Sequence, residues 1–280
     1  MAQVGETGHG QLLHPPSAMA PADVYGAPTE EQLESEGPHM QCLRSLPRVN
    51  VKEQVSIIEA VTAIIGQEIE MANKYKIVDG DNNQQFFAAE ETGCCTRQLK
   101  QCAPDCAPWS VGIAYTPPGG PEMKAFTLKR DWTCTCLCFN RPVVDVYDDA
   151  TKQKLGSISD PFACCDLTFS IRDPSDNLVL KANGGCCQWG LCCPLPCGPC
   201  AEVNFPVTDA KTGDEVGHLK KKVPGCCKFC CAPDVDNFEI EFDKVGNPQY
   251  KALMMALALF MDFRYFSDNP NDDQEAPESW

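Results

Sequence analysis

The chain has 280 residues, 20 of them cysteine, and its 39 acidic and 23 basic residues give a formal net charge of −16. So acidic a chain excludes the basic face that neutralises nucleic-acid phosphates, and no nucleic-acid partner is expected. The N-terminus lacks the basic start and apolar run of a secretory signal, which predicts a reducing cytosolic environment in which stable disulfides are rare.

The first part of the chain divides into a tail and a helical segment. Residues 1–48 are rich in Pro, Gly, Ala and Glu with few large apolar residues, which predicts a disordered tail. The following segment, 51–75, has apolar residues at helical spacings, with Thr62 completing the stripe. An amphipathic helix covering a sheet is predicted from this stripe (Val51, Val55, Ile58, Ile65 and Ile69).

Short strands and turns then continue to about residue 243. Asp79-Gly80 predicts a hairpin, and PPGG at 117–120 and DPSDN at 173–177 are further turn signals. A strand–turn–strand unit occurs twice, at 143–156 and 203–217, with an offset of 61 residues. Recurring strands without helices between them favour an antiparallel barrel or sandwich, and the repeat favours a sheet that closes on itself.

The last predicted element is an apolar helix. Ala252 to Met261 is a run of ten apolar residues that covers every face of a helix, so the helix is buried either in protein or in lipid. The run is shorter than the about 20 residues that a bilayer needs. Asp262 and Arg264 follow it, and residues 269–280 form an acidic tail. The sequence favours burial of this helix inside the sheet, and a membrane-spanning helix remains the alternative.

Four motifs resemble those of the phospholipid scramblase family. They are NKYKI at 73–77, FFAAEET at 86–92 followed by Cys94-Cys95-Thr96-Arg97, DNFEIEF at 236–242, and the apolar helix ending in Met261-Asp262-Phe263. The resemblance implies a mainly β, tubby-like fold over residues 49–268: a closed antiparallel barrel of about twelve strands around a central C-terminal helix at about 250–266.

The resemblance also implies an activity and a location. The activity is calcium-dependent, ATP-independent, bidirectional movement of phospholipids between membrane leaflets, by a transporter without a catalytic site. Palmitoylation would anchor the protein to the cytoplasmic face of the plasma membrane, and the matching cysteines are Cys134, Cys136 and Cys138. The basic patch GHLKKK at 217–222 leaves a nuclear pool open. Phospholipid membranes are the expected partner, and self-association is left open.

The segment 234–245 is the candidate calcium site, because calcium prefers several carboxylate and carbonyl oxygens in a tight loop. Glu239 stands where an EF-hand-like loop has Gly, and Val245 where it has an acid. The alternation of Phe238 and Ile240 with acids also fits an ordinary strand. The predicted ligands are Asp234, Asp236, Glu239, Glu241 and Asp243.

Besides disulfides, which a reducing cytosol disfavours, the cysteines have three interpretations. CxxC pairs at 197–200 and 227–230 have zinc-knuckle spacing, with His218 nearby in sequence, so a zinc-binding protein is one alternative. Thiols packed on barrel strands and acylated thiols are the others. A second functional alternative is a lipid- or phosphoinositide-binding adaptor that moves no lipid, for which Lys220, Lys221 and Lys222 are the basic contact.

Overall fold

Alternating apolar and polar residues become the two faces of β-strands in the structure, a computed structural model. It describes residues 24–26, 36–54, 73–91, 103, 106–135, 138–193, 198–222 and 234–266. Within these ranges, twelve strands form a closed barrel. The strands are β1 (Arg48–Gln54), β2 (Lys74–Val78), β3 (Gln84–Glu90), β4 (Trp109–Tyr115), β5 (Met123–Arg130), β6 (Val143–Asp148), β7 (Lys154–Ser159), β8 (Asp166–Arg172), β9 (Leu178–Gly185), β10 (Glu202–Asp209), β11 (Glu215–Lys222) and β12 (Asp234–Glu241).

Each strand pairs antiparallel with its neighbours in sequence, and β1 pairs with β12 to close the barrel. The predicted turns at Asp79-Gly80, 117–120 and 173–177 each join two paired strands. The barrel that the resemblance implied is therefore confirmed, and the sandwich alternative is excluded.

Because all pairs are antiparallel, the links between strands fall alternately at the two ends of the barrel. The turn end carries the short links 79–83, 116–122, 149–153, 173–177 and 210–214, and residues 242–247 after β12. The connection end is where the links 55–73, 91–108, 131–142, 160–165, 186–201 and 223–233 start and finish. One such link includes the short helix α2 (Trp189–Cys192) and a 3-10 turn, Gly198–Cys200.

The apolar C-terminal helix, α3 (Pro248–Met261), fills the barrel. Asn247 caps its start by accepting a hydrogen bond from the backbone N–H of Gln249, and every residue of the helix except Gln249 is buried. A π-helical turn, Asp262–Phe266, continues it at the connection end. Burial in protein is therefore the placement that the structure shows for this helix. No helix among the described residues combines the length and the apolar composition that a membrane crossing needs.

The 61-residue repeat brings two glycines against this helix. Gly156 and Gly217 occupy equivalent register positions, opposite Val146 and Val207. A Cβ on Gly156 would lie 2.9 Å from a Leu253 methyl, and one on Gly217 would lie 3.2 Å from the Met254 methyl. Each Cβ would also meet a neighbouring backbone carbonyl oxygen at 2.5 Å or less. The repeated glycine thus allows the strand to approach its neighbours and the central helix closely.

The N-terminal region differs from the sequence prediction. A helix, α1 (Pro38–Ser45), packs on the turn end inside the range assigned to the tail, so folded structure starts before residue 48. Residues 51–54 of the predicted amphipathic helix instead belong to β1, because pairing with β2 and β12 on both sides overrides the local helical period. Of the rest of that predicted helix, 55–72 lies outside the described residues, and Lys74 and Tyr75 at its end belong to β2.

Two buried polar contacts hold α1 in place. His39 is fully buried, with its Nε2 3.1 Å from a carboxylate oxygen of Asp148. The buried Lys251 ammonium of α3 donates to the carbonyl oxygens of Arg44 and Leu46, at 2.8 and 2.6 Å. Burial lowers the pKa of Lys251 to about 8. The contacts of His39 and Lys251 tie α1 both to the barrel and to its central helix.

Candidate functional site

The predicted calcium ligands on β12 lie in a strand whose Phe238 and Ile240 point into the core. Glu239 and Glu241 alternate with them on the outer face of the barrel. The Lys222 ammonium lies 2.7 Å from Glu239 and its hydrogen bond lowers the pKa of that carboxyl. The Lys220 ammonium lies 3.6 Å from Glu241. Both predicted ligands are therefore engaged by lysines of β11.

Asp234 and Asp236 start the same strand. Their backbones pair with Gln54 and Lys52 of β1, with a register irregularity before Phe238. The side chains of Asp234 and Asp236 lie outside the described part of the chain. Their role as ligands therefore stays a prediction.

Among the described residues, His218, Glu241 and Asp243 are the group whose ligand atoms are close enough together to hold a metal ion, all within 4.8 Å of one another. The two His218 nitrogens lie 3.1 Å from Glu241 and 3.5 Å from Asp243. Calcium takes six to eight oxygen ligands, whereas this group offers two carboxylates and an imidazole. As they stand, the described carboxylates do not form a calcium site.

The basic segment Lys220–Lys222 has acidic partners at all three positions. Lys220 and Lys222 contact the β12 glutamates described above. Lys221 lies 2.7 Å from Asp262 and over the rings of Phe238 and Phe266. An adaptor that binds phosphoinositides through these lysines would have to exchange protein carboxylates for lipid phosphates.

Eleven cysteines are described, all with free thiols, and eight of them are exposed. None of the eleven lies in a strand, so the interpretation that the cysteines pack on barrel strands is wrong for the described part of the chain. The exposed set includes Cys134 and Cys138 of the predicted lipidation cluster. Cys136, and Cys197, Cys227 and Cys230 of the CxxC pairs, lie outside the described residues.

The topology gives these cysteines a common position that sequence reasoning did not reveal. Every described cysteine except Cys42 belongs to a link of the connection end. The signal was present in the spacing, since the clusters recur between predicted strands. Spacing alone does not show that alternate links lie at the same end of a barrel.

Sequence reasoning also missed a polar anchor where α3 leaves the barrel. Asp262 is buried and accepts hydrogen bonds from the Tyr75 hydroxyl and the Lys221 ammonium, both at 2.7 Å. Burial, followed by the Asp262 charge, raises the pKa of Tyr75. A second buried carboxylate, Asp160, contacts Arg141, Arg264 and the Tyr265 hydroxyl. An isolated Asp at the end of a long apolar run was the only sequence signal for these contacts.

Comparisons with known proteins agree on one family. The chain is 24% identical over 240 residues to phospholipid scramblase 1 of Mus musculus, covering 85% of this chain and 67% of the relative. It is 28% identical over 230 residues to phospholipid scramblase 2 of Bos taurus, covering 82% and 71%. Phospholipid scramblase 4 of Homo sapiens is 23% identical over 243 residues, covering 83% and 65%. No solved structure matches the chain.

The sequence model of the Scramblase family matches residues 28–268. This range contains α1, all twelve strands of the barrel and the central helix. The chain therefore belongs to the Scramblase family.

Proposed function

We propose that this protein moves phospholipids between the two leaflets of a membrane, as a lipid transporter rather than an enzyme. The family match over residues 28–268 carries the proposal, because it spans the whole barrel and its central helix rather than one motif. The relatives with detectable identity are named phospholipid scramblases. The expected location is the cytoplasmic face of the plasma membrane.

The finer proposal is that the movement needs calcium and no ATP. A chain with a net charge of −16 is repelled by an anionic leaflet, and a bound divalent cation lowers that negative charge locally. Since Glu239 and Glu241 are engaged by lysines, Asp234 and Asp236 are the ligands on which the calcium response depends. Glu239, Glu241 and Asp243 would contribute only after leaving their present partners.

Reconstitution into liposomes tests the proposal. Vesicles carry fluorescent lipid in both leaflets, and a membrane-impermeant quencher removes the outer-leaflet signal. Calcium-stimulated loss of the protected inner-leaflet signal, in the absence of ATP, is the expected result. Calcium-dependent binding without that loss would leave the adaptor function instead.

A matched pair of variants separates calcium ligation from overall charge. The double variant Asp234→Ala, Asp236→Ala should lose the calcium response. The double variant Asp81→Ala, Asp214→Ala changes the net charge equally, at two exposed positions of the turn end, and should keep the response. Equal loss in both pairs would point to net charge rather than to a binding site.

Membrane attachment through acylated thiols is the remaining part of the proposal, with Cys134, Cys136 and Cys138 as the acceptors. One acyl chain binds membranes only marginally, so a cluster of acceptors suits stable attachment. Hydroxylamine at neutral pH cleaves thioesters and should release the protein from cell membranes. Continued attachment would exclude thioester anchoring.

Stoichiometric zinc in protein purified under reducing conditions would instead favour the metal-binding alternative for the CxxC pairs.

A further inference from the structure

Exposed aromatic side chains gather at the connection end. Trp132, Phe139, Phe162 and Trp189 are 58%, 70%, 58% and 64% exposed. They belong to three different links, 131–142, 160–165 and 186–201. Of the seven exposed large apolar residues in the described part of the chain, only Tyr25 lies elsewhere, next to Gly246 at the turn end. Concentration of exposed apolar groups on one face is typical of an interaction surface.

The links that carry these rings are tied to one another. Backbone hydrogen bonds of 3.2 or 3.3 Å join neighbouring links of the connection end, donated by Thr133 to Cys106, by Asp160 to Pro142 and by Cys186 to Cys165. The Arg141 guanidinium also donates to the Asp160 carbonyl oxygen, at 2.8 Å. The aromatic rings therefore stand on a connected surface rather than on separate loops.

Trp189 shows how the fold turns an aromatic ring outward. The side-chain amide of Gln188 exchanges two hydrogen bonds with the backbone of Asn204, at 2.8 and 2.7 Å. Gly190 is buried so close to β10 that a Cβ there would lie 2.4 Å from the Glu202 carbonyl oxygen. Because Gly190 packs closely against β10, the helix α2 leaves the neighbouring Trp189 side chain exposed to solvent.

Charge distinguishes these three links from the short links of the turn end. The three links contain two acids and one base: Asp131, Asp160 and Arg141. Asp160 is buried, and Asp131 lies 3.0 Å from the Lys129 ammonium. The five short links of the turn end hold seven acids and two bases. The aromatic surface is thus nearly uncharged on a chain with a net charge of −16.

We propose that the connection end is a docking surface for the bilayer, with Trp132, Phe139, Phe162 and Trp189 inserted at the level of the lipid headgroups. Tryptophan favours this position because one side of the indole is apolar and its N–H is polar. The barrel then stands end-on, with the acidic turn end away from the lipid. This inference rests on the proposed function in taking a lipid membrane as the partner, and it adds the orientation.

Vesicle sedimentation with unacylated protein tests the docking surface without the contribution of acyl chains. The probe is sucrose-loaded vesicles of phosphatidylcholine, a lipid without net charge. Replacing all four rings (Trp132→Ser, Phe139→Ser, Phe162→Ser and Trp189→Ser) should lower partitioning by at least about tenfold, because binding scales with the apolar area inserted. Tyr25→Ser, which removes an exposed ring at the turn end, should leave it unchanged. Equal partitioning of the quadruple variant and the wild type would overturn the proposal.

Tryptophan quenching gives a second test that keeps the surface apolar. In a Trp280→Phe background, only Trp109, Trp132 and Trp189 emit, and Trp109 is buried. Lipids brominated on their acyl chains should quench a large part of this emission. Adding Trp132→Phe and Trp189→Phe should abolish the quenching while the protein still sediments with vesicles. Persistent quenching in that variant, or none in the background protein, would contradict insertion at this end.

The two proposals fail separately. If the protein docks through these rings but moves no lipid in the liposome quenching assay, the docking surface is supported and the scramblase function is refuted. A protein that scrambles while its quadruple variant binds and scrambles equally well retains the function and loses the docking surface.

Discussion

The two ends of the barrel are built from different chemistry. At the turn end, Asp79, Asp148, Asp173 and Asp209 each accept a hydrogen bond from the backbone N–H two residues later, and so hold short turns. The connection end instead has links rich in cysteine and exposed aromatics, and the buried carboxylates Glu90, Asp160 and Asp262 lie at the same end. One end is stabilised turn by turn, whereas the other depends on contacts between links that are distant in sequence.

The largest effect is expected at the anchor of the connection end. Asp262→Ala should lower the free energy of unfolding by about 3–5 kcal/mol, because it removes the buried carboxylate that accepts from both the buried Tyr75 hydroxyl and the partly buried Lys221 ammonium. Asp262→Asn, which keeps an acceptor for Tyr75, should cost less. Denaturant titration measures both, with the exposed Asp131→Ala as the control. A loss below about 1 kcal/mol in Asp262→Ala would show that this anchor contributes little.

A smaller effect is expected at the turn end. Asp209→Ala should cost about 1–3 kcal/mol, because the buried carboxylate accepts the backbone N–H groups of Lys211 and Thr212 at 2.7 and 3.2 Å. Its repeat partner Asp148 also contacts His39 and the Thr151 hydroxyl, so Asp148→Ala should cost more. The same denaturant titration ranks the two variants, with the exposed Asp214→Ala of the same turn as control. Equal losses for Asp148 and Asp209 would mean that the His39 contact adds nothing to stability.

The turn end was the more predictable of the two. Asp-Gly, Pro-Gly and Asp-Pro signals act within four or five residues, so the hairpins could be located from sequence, and the repeated glycine marked the same position in two hairpins. In contrast, α1 was hidden in a Pro- and Gly-rich segment, since its stability comes from Asp148 and Lys251, more than a hundred residues away. Local signals carry little information about such contacts.

The candidate site was predictable only in part. Alternation along 238–243 correctly allowed a strand as well as a loop. That the outward glutamates of β12 face Lys220 and Lys222 depends on the register between β11 and β12, which no local pattern specifies. The aromatic rings at the connection end were equally hidden, because their common location follows from closure of the barrel.

The contact between α1 at the turn end and the central helix should make the free energy of unfolding depend on pH through Lys251. With a pKa of about 8 in the folded protein against 10.5 normally, the folded state binds fewer protons than the unfolded state between these values. The free energy of unfolding should therefore rise with pH through this window. The cost of the buried ammonium is fully present below pH 8.

Lys251→Met should flatten that rise, and the exposed Lys244→Met should not. Denaturant titrations between about pH 7.5 and 9.5 measure the slope in a range below the tyrosine titrations, since burial raises the pKa of Tyr75 and brings that of Tyr265 to about 12. An unchanged slope in Lys251→Met would show that the ammonium stays hydrated in the folded protein.

The smallest effect is expected for the thiols of the connection end. Cys134 and Cys138 are exposed, so replacing both with Ser should change the free energy of unfolding by no more than about 0.5 kcal/mol. Cys42 is the matched contrast: it packs against the core and its thiol donates to Gln85 at 3.4 Å, so Cys42→Ser should cost more.

Burial also raises the pKa of the Cys42 thiol, which should slow its alkylation at neutral pH relative to an exposed thiol. Denaturant titration and mass-spectrometric alkylation measure these differences. A loss above about 1 kcal/mol for the Cys134 and Cys138 pair would assign these thiols a structural role, and the difference between the two ends of the barrel would then not extend to their cysteines.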